Sequence, residues 1–367
     1  MIVSVNRGDL VNAIADVIGF TGKGSTMPIN AAILLTADKE HGLTLSATDL
    51  EIGAVAECEA LVSDPGSVAV NGKALSSVIK SMPEGPVSLS EESGSLILEV
   101  KGGNAEFKLT CMYPDDFPAM KAAEASLTDV SASLLLGLLD RVFFAVSQDE
   151  TRYSLNGVYV LTEGDNLVMV ATDGHRLAKA VQVGSADGLG RGVIVPRRGV
   201  AELRRILDRQ EENVSVGVHA DVFYMRAGGV MVHARLVSGE FPDYNQVIPS
   251  ETNRTVIVDR VSLIDSLKRA SVLSFDKAWG LSIEFGAGKI AISSSNPNVG
   301  EFSDLVEPES YEGEPIKMGF NARYLLDALT VLDCEQVSIL LKDPMLPCIV
   351  QAAEDDGYLC VVMPMRI

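Results

Sequence analysis

Two spacings of hydrophobic residues occur along the chain, and each predicts a different secondary structure. Around 325–332 the apolar residues fall at i, i+3, i+4 and i+7, the spacing that gives a helix one apolar face. Between 87 and 111 apolar and polar residues alternate, with turn residues near 93 and 103, which predicts an antiparallel strand meander. The strand pattern covers more of the chain. The sequence therefore predicts an α+β fold in which antiparallel sheet dominates.

The two patterns recur three times in the same order. A strand-like run leads into a helix in VAVNGKALSSVIKSM (68–82), VIVPRRGVAELRRIL (193–207) and IKMGFNARYLLDALTVL (316–332). Residues suited to a helix start, Asn71, Pro196 and Asn321, are spaced 125 positions apart. A further helical pattern opens each unit, at 8–18, 132–146 and 261–273. The repeat predicts three domains with two helices each, at 1–122, 128–250 and 252–367.

The charge of the chain is strongly negative but unevenly distributed. Fifty acidic residues against thirty Lys and Arg give a formal net charge of −20, so the surface as a whole is expected to repel nucleic acid and anionic membranes. The segment 191–209 is an exception, because it has two acidic residues and six arginines. These are Arg191, Arg197, Arg198, Arg204, Arg205 and Arg209.

Three cations share one position of the repeated second helix. Lys73, Arg198 and Arg323 are again 125 residues apart and fall in the first helical turn. A positive charge there opposes the helix dipole, at a cost of a few tenths to ~1 kcal/mol. Because a cation recurs at this unfavourable position in all three units, the sequence indicates that an external anion binds there. Contacts with DNA phosphates would be salt-sensitive and independent of base sequence. Lys268, Arg269 and Lys277 add positive charge in the third unit.

Cysteine, histidine and hydropathy patterns narrow the class of protein. The five cysteines are odd in number and show no CxxC spacing, which predicts reduced thiols in a cytoplasmic protein. The four histidines are scattered without ligand spacing, so no metal and no cofactor are expected. Neither a signal peptide nor an apolar run of the ~20 residues that a membrane span needs is recognised, so no membrane association is expected.

The stretch ATDGHRLAKA (171–180) contains the strongest candidate for chemistry. Asp173, His175 and Arg176 lie within four positions, as in a hydrolase-type active site. The first unit has ATDLEIGA in the corresponding place, which keeps Thr48 and Asp49 but not the histidine or the arginine. The Thr-Asp pair is therefore predicted to form a polar turn whose side chains bond the nearby backbone. The enzyme remains an alternative, although no nucleophile or phosphate-loop motif accompanies it.

Several motifs together resemble one family over the whole chain. They are ATDGHRLA (171–178), LNG (155–157), FPDYNQVIP (241–249), VIVPRRGVAEL (193–203) and VMPMRI (362–367). In this order, on a threefold repeat, they resemble the bacterial DNA polymerase III beta subunits, the sliding clamps. The resemblance implies three tandem clamp domains, with antiparallel sheets outside and two helices per domain lining a ring. It also implies a processivity factor that is not an enzyme, and a homodimer around double-stranded DNA.

The resemblance further implies the partners and the residues that meet them. The expected partners are the DNA polymerase III alpha subunit, the clamp loader, and other polymerases and repair factors that carry clamp-binding peptides. The family's peptide pocket, between the second and third domains, corresponds to Leu155, Thr172, Gly174, His175, Arg176, Leu177, Pro242, Val247, Val361, Val362, Met363, Pro364, Met365 and Arg366. Flexible methionines near a chain end suit a pocket that accepts several related peptides. The terminal residue is Ile367, where the family often has leucine.

Two further sets of residues follow from the family and from the basic repeat. The predicted DNA contacts are Lys23, Lys73, Gln148, Arg197, Arg198, Arg204, Arg205 and Arg323. The predicted dimer interface pairs Phe107 and Leu109, on an edge-like strand of the first unit, with Val272 and Leu273, which end a helix of the third. Edge strands need a partner or protection, which is consistent with this assignment.

Overall fold

A computed structural model describes residues 1–22, 27–92, 94–120, 126–184, 189, 192–210, 212–273, 280–354 and 357–366. Lys23, Arg191, Lys277 and Ile367, discussed above, lie outside the described residues. The chain divides into two compact units. The first contains Met1–Leu135, Ala186–Gly190 and Arg198–Leu236, and the second contains Leu136–Ser185, Arg191–Arg197 and Val237–Ile367. The predicted second repeat therefore contributes to both units.

The described α-helices repeat with the predicted period. They are α1 (Arg7–Val17), α2 (Gly72–Ser81), α3 (Ala132–Phe143), α4 (Arg197–Leu207), α5 (Arg260–Ser271) and α6 (Ala322–Thr330). Local capping explains several of their starts. The side chain of Asn71 accepts a hydrogen bond from the Ala74 amide, and that of Asn321 accepts one from the Arg323 amide. Pro196 directly precedes α4. The predicted pairing of two helices with each repeat is confirmed.

The strands of the first unit form one 13-stranded sheet in the order β10-β15-β16-β17-β4-β3-β2-β6-β9-β8-β7-β1-β5. These strands are β1 (Ile2–Asn6), β2 (Ala32–Asp38), β3 (Gly42–Thr48), β4 (Ile52–Cys58), β5 (Ala60–Asp64), β6 (Gly66–Asn71), β7 (Pro86–Glu91), β8 (Ile97–Gly102), β9 (Ala105–Met112), β10 (Thr128–Ser131), β15 (Asn213–His219), β16 (Val222–Ala227) and β17 (Val230–Arg235). The predicted meander corresponds to β7, β8 and β9.

The second unit has a nine-stranded sheet, β14-β11-β12-β13-β26-β25-β24-β18-β22, and a four-stranded sheet, β21-β20-β19-β23. Their strands are β11 (Gly157–Glu163), β12 (Asn166–Thr172), β13 (Arg176–Val183), β14 (Val193–Pro196), β18 (Arg254–Asp259), β19 (Gly280–Gly286), β20 (Lys289–Asn296), β21 (Gly300–Val306), β22 (Ser310–Glu312), β23 (Ile316–Asn321), β24 (Gln336–Leu341), β25 (Cys348–Ala352) and β26 (Tyr358–Val362). The described pairings are antiparallel, as predicted.

The core of each unit lies between its helices and its sheets. Helix α1 packs against α2 and the sheet strands β3 and β4, while α5 packs against α6 and β21. The inward positions of α6, Leu325, Ala328 and Leu329, are buried as the helical spacing predicts. Burial of such apolar side chains contributes about 1.5–3 kcal/mol each, so the amphipathic spacing is what fixes these helices on the sheets.

Candidate functional site

The Thr-Asp pair forms the same polar turn in both repeats. In the first repeat the Thr48 hydroxyl donates to the Ile52 carbonyl (2.9 Å), and the Asp49 carboxylate accepts from the Ile52 amide (2.8 Å). In the second, the Thr172 hydroxyl donates to the carbonyl of Arg176 (2.6 Å), and Asp173 accepts from the same residue's amide (3.1 Å). The predicted structural role of the pair is confirmed.

One residue in each turn has a positive φ. It is Gly174 in the second repeat, with φ of 86°, and Leu50 in the first, with φ of 81°. Glycine adopts this left-handed conformation without steric cost, whereas a bulky side chain is strained there. A Cβ at position 174 would lie 2.6 Å from Nη1 of Arg152, which is the end of a flexible side chain and can move away, so the positive φ is the main reason for glycine here.

Asp173 and His175 do not form a catalytic pair. One Asp173 oxygen accepts from the His175 and Arg176 amides (2.9 and 3.1 Å), and the other accepts from Nε of Arg176 (3.1 Å). The His175 ring instead stacks near Tyr324, with centroids 6.1 Å apart. In a catalytic Asp–His pair, the carboxylate orients the imidazole through a hydrogen bond to a ring nitrogen. No hydrogen bond between these two side chains occurs in the described structure, so the geometry does not support the hydrolase alternative.

The structure places Arg176, one of the predicted pocket residues, beneath the surface. The side chain is 8% exposed. Its guanidinium donates to Asp173, to Asp327 (2.5 Å) and to the Phe144 carbonyl (2.7 Å). It also lies over the rings of Phe144 and Tyr324, at 5.0 and 4.7 Å. Each guanidinium nitrogen makes a hydrogen bond within the protein, and the planar face lies over two rings, which compensates the buried charge. Arg176 therefore holds the turn in place.

The C-terminal segment continues the sheet beside this turn. Strand β26 pairs with β13 so that Val361 lies opposite Leu177. Beyond the strand, the Met363 amide donates to the His175 carbonyl (3.0 Å), and the Met365 amide donates to the Gly319 carbonyl (2.8 Å). Val361 and Val362 are buried, whereas Met363 is 40% exposed. Two backbone hydrogen bonds thus fix the tail while an apolar side chain remains at the surface.

The segment after Phe241 lies against the same part of the sheet. Leu177, Val361 and Tyr244 belong to one apolar cluster, against which Phe241 and Ile248 pack. The ring of Phe241 stacks on Tyr159 with centroids 4.8 Å apart. Burial raises the pKa of the Tyr244 phenol above its usual range, and its hydroxyl donates to Glu163 (2.9 Å).

Most of the predicted pocket residues therefore lie on neighbouring elements. Pro242 and Val247 are exposed on the Phe241 segment, Pro364 and Met365 are half-buried, and Arg366 is exposed. Leu155 is half-buried at the end of the short helix Tyr153–Leu155. Sequence reasoning missed Phe241, Tyr244 and Ile248, which support the groove from below. The only sequence signal for them is the apolar spacing within FPDYNQVIP. We use the name apolar groove for the exposed apolar residues Pro242, Val247 and Met363 together with the buried Leu177 and Val361, which support the same segments from below.

The three repeated cations occupy the predicted helix position. Lys73, Arg198 and Arg323 are each the second residue of their helix, α2, α4 and α6. Arg198 pairs with Asp49, and Arg323 lies 3.8 Å from Asp327. Lys73 is exposed and has no ion pair within the described ranges. Lys73 and Arg323 are thus the better placed of the three to meet an external anion.

The other predicted DNA contacts have different environments. The Arg205 guanidinium donates to the Ala15 and Asp16 carbonyls (2.5 and 2.9 Å), at the C-terminal end of α1. Cations favour that end of a helix, so this arginine has a structural role in the first unit. Arg197 lies 5.8 Å from the centre of the Phe143 ring. Arg204 is half-buried and Gln148 is exposed.

Two of the predicted interface residues lie on a strand that is largely unpaired on one side among the described residues, and the other two directly follow α5. Phe107 and Leu109 are on β9, which pairs with β8 along its length but with β6 only through Cys111 and Met112. Phe107 is 39% exposed and Val272 is 68% exposed. Sequence reasoning missed a second edge, β21, which pairs only with β20 among the described strands and exposes Leu305. Its GEFSDLV pattern does not distinguish an edge strand from a central one.

The described residues contain no candidate metal site, disulfide or membrane-spanning helix. All five cysteines are described, and none forms a disulfide. Burial raises the pKa of the Cys58 and Cys111 thiols to about 11, which makes them unreactive. No group of three or more His, Cys, Asp or Glu in the described ranges has the geometry to hold a metal ion. Among the described residues, no helix is both long and apolar enough to cross a membrane.

The fold and the apolar groove define a class of protein, a repeat-built binding scaffold of antiparallel sheets and paired helices. Models of the DNA polymerase III beta subunit match the chain throughout: the N-terminal domain at residues 1–121, the central domain at 129–243 and the C-terminal domain at 245–366. The chain belongs to the DNA polymerase III beta subunit family. It is a sliding clamp of DNA replication, a processivity factor and not an enzyme.

Individual relatives agree with this assignment. The chain is 33% identical over 374 residues to the beta sliding clamp of Caulobacter vibrioides, with 100% of both chains covered. It is 34% identical over 370 residues to that of Pseudomonas aeruginosa, with 99% of each covered. The solved Pseudomonas aeruginosa DNA polymerase III subunit beta has a TM-score of 0.93 at 33% identity, and a Bartonella birtlesii sliding clamp bound to griselimycin has 0.95 at 30%. Both comparisons cover 100% of both chains.

Proposed function

We propose that two copies of this chain close into a ring around double-stranded DNA and hold replicative polymerases there through the apolar groove. Each copy would supply three clamp domains, at 1–122, 128–250 and 252–367. The observation that carries the proposal is the groove itself: backbone hydrogen bonds hold the exposed Met363 next to β13, and the segment after Phe241 packs on the apolar cluster of that strand. Family membership supplies the DNA and polymerase context.

The groove has the properties of a peptide-docking site. Buried Leu177, Tyr244 and Val361 form a rigid floor, so little order has to be gained when a ligand binds. Methionine at the rim is flexible and polarizable, which suits several related peptides. The expected ligands are clamp-binding peptides of the polymerase alpha subunit, the clamp loader, other polymerases and repair factors. The direct test is retention on nicked circular DNA after loading by a clamp loader, followed by release when the DNA is linearised.

Salt-dependent DNA binding is expected to depend on the helix-start cations. Replacing Lys73 and Arg323 with glutamine removes two exposed cations from the second residue of α2 and α6. The double variant removes four cations from a ring of two copies, and each lost phosphate contact lowers the salt slope by ~0.9, so the slope of log affinity against log salt should fall by about 3.6. Equilibrium binding to duplex DNA at several salt concentrations measures this.

A matched variant separates the position of the charge from its amount. Lys39→Gln with Lys289→Gln makes the same change in net charge at exposed residues outside the helices. This control should keep the slope of the unmodified chain. Equal slopes for both double variants would contradict the assignment of Lys73 and Arg323.

Two unlike strand edges support the proposed head-to-tail dimer. The first unit leaves most of β9 without a partner on one side, and the second unit does so for β21, as far as the described residues show. An unpaired edge with exposed apolar residues favours pairing with another chain. Two different edges on one chain give a heterologous contact, which closes into a ring when its rotation permits.

Phe107→Asp is expected to weaken the dimer more than tenfold. The substitution replaces an exposed aromatic side chain on β9 with a charge, and burial of such a side chain is worth about 1.5–3 kcal/mol. Sedimentation equilibrium measures the dissociation constant. Leu61→Asp is the control, since Leu61 is 78% exposed on β5, the terminal strand of the same sheet, which is separated from β9 by three strands. A dimer equally weakened by both changes would count against β9 as the interface.

A further inference from the structure

The first unit contains a cavity built like the apolar groove but lined by different residues. Its volume is about 270 Å³, and Leu50, Glu51, Pro118, Met120, Tyr224 and His233 line it. Pro118 corresponds to Pro242, 124 residues later. The Arg235 amide donates to the Glu51 carbonyl (2.8 Å), as the Met363 amide does to His175 (3.0 Å). The same scaffold therefore occurs in both compact units.

The floor of this cavity and the floor of the apolar groove differ in polarity. Where Leu177 lies opposite Val361 in the groove, Gly53 lies opposite His233 in the first unit. The imidazole fills the space that a side chain at position 53 would need. Burial lowers the pKa of His233, so the ring is mainly neutral near pH 7. The groove thus has an aliphatic floor, whereas the cavity has a polar one, and the two would take different ligands.

Leu50 gives an independent indication that the cavity binds something. It has φ of 81° where the second repeat has Gly174, and its side chain is 60% exposed. A left-handed backbone conformation strains a bulky residue such as leucine. Because the Leu50 side chain is exposed, burial of apolar surface does not offset that strain. Observed strain of this kind is concentrated at binding sites, where a ligand provides the missing contacts.

The charges around the cavity indicate the class of ligand. Glu51 is exposed and forms no ion pair within the part of the chain that the structure describes. Asp221, also at the cavity, is paired with Arg235 at 3.2 Å. The rim therefore has one uncompensated negative charge next to the apolar surface of Leu50 and Met120. Lysine and arginine complement such a surface, because their stems pack on apolar atoms while their charged ends pair with a carboxylate.

We propose that this cavity is a second docking site, which binds a short extended segment of a partner protein containing a basic residue next to an apolar one. The apolar side chain packs between Leu50 and Met120, and the basic side chain pairs with Glu51. All of these residues belong to the first unit. The proposal is independent of the apolar groove, which lies wholly in the second unit.

The test is a titration of the full-length chain, labelled with ¹³C at the methionine methyl groups, observed by NMR. The probe is a blocked heptapeptide, Ser-Leu-Lys-Leu-Lys-Phe-Ser, and its partner peptide has glutamate in place of both lysines. Met120 reports on the cavity, while Met363 and Met365 report on the groove, so binding at each site is observed separately. We expect a saturable shift of Met120 with the lysine peptide and at least tenfold weaker binding of the glutamate peptide.

Two variants test the assigned contacts without threatening the fold. Leu50→Gly relieves the strain of the left-handed backbone, so the melting temperature should stay the same or rise. The same substitution should lower the affinity for the lysine peptide at least fivefold. Glu51→Gln should lower the affinity for the lysine peptide three- to tenfold. Glu57 is an exposed carboxylate on the same part of the sheet, and Glu57→Gln should leave that affinity unchanged. The proposal is overturned if Met120 does not shift, if both peptides bind alike, or if Leu50→Gly binds as the unmodified chain does.

Discussion

Loss of the last five residues is expected to abolish binding of a clamp-binding polymerase peptide. The deletion removes Met363 and Met365, which the Met363–His175 and Met365–Gly319 backbone hydrogen bonds fix beside the groove. The exposed Met363, the half-buried Met365 and a proline contribute about 3 kcal/mol of contact with the peptide, which corresponds to about a hundredfold change in dissociation constant. Fluorescence anisotropy of the labelled peptide, titrated with the intact and the shortened chain, measures this.

The fold should survive that deletion, since β26 ends at Val362 and keeps its pairing with β13. Point substitutions give a stricter comparison. Met363→Ala with Met365→Ala should reproduce most of the loss, whereas Met27→Ala with Met345→Ala removes two other exposed methionines and should have no effect. Undiminished peptide binding by the shortened chain would remove the tail from the site.

Arg176→Met is expected to destabilise the second unit by about 1.5–3 kcal/mol. The substitution keeps much of the side-chain volume but leaves the Asp173 and Asp327 carboxylates without their buried cation. The two carboxylates are 19% and 30% exposed, so water replaces the lost charge-assisted hydrogen bonds only in part. Hydrogen exchange of the β13 amides, followed by mass spectrometry, measures the local free energy of opening and does not require two-state unfolding of a chain with two compact units.

Arg323→Met is the matched control for this experiment. Arg323 also lies beside Asp327, at 3.8 Å, but its side chain is 60% exposed. Exposed pairs contribute about 0–1 kcal/mol, so β13 should exchange almost as slowly as in the unmodified chain. Arg176→Lys should retain little of the stability, because an ammonium cannot reproduce the forked hydrogen bonds to two carboxylates and a carbonyl. Similar exchange for Arg176→Met and Arg323→Met would contradict the structural role of Arg176.

The internal repeat made much of the fold predictable. Periodic apolar residues and the caps at Asn71 and Asn321 are local signals, and the helices begin where those signals stand. Local hydrogen bonding explains why the Thr-Asp turn could be assigned a structural role from its recurrence alone.

The sequence by itself determined the threefold order of strands and helices, the helix positions of Lys73, Arg198 and Arg323, and the structural nature of the Thr-Asp turn. These depend on spacing and on hydrogen bonds between residues a few positions apart. Only the tertiary structure decided that Arg176 is buried against Asp327, that Tyr244 supports the groove, and that β21 is an edge. Each of these features depends on residues far apart in the chain. Their contacts are set by strand order and packing, for which periodicity along the sequence contains no signal.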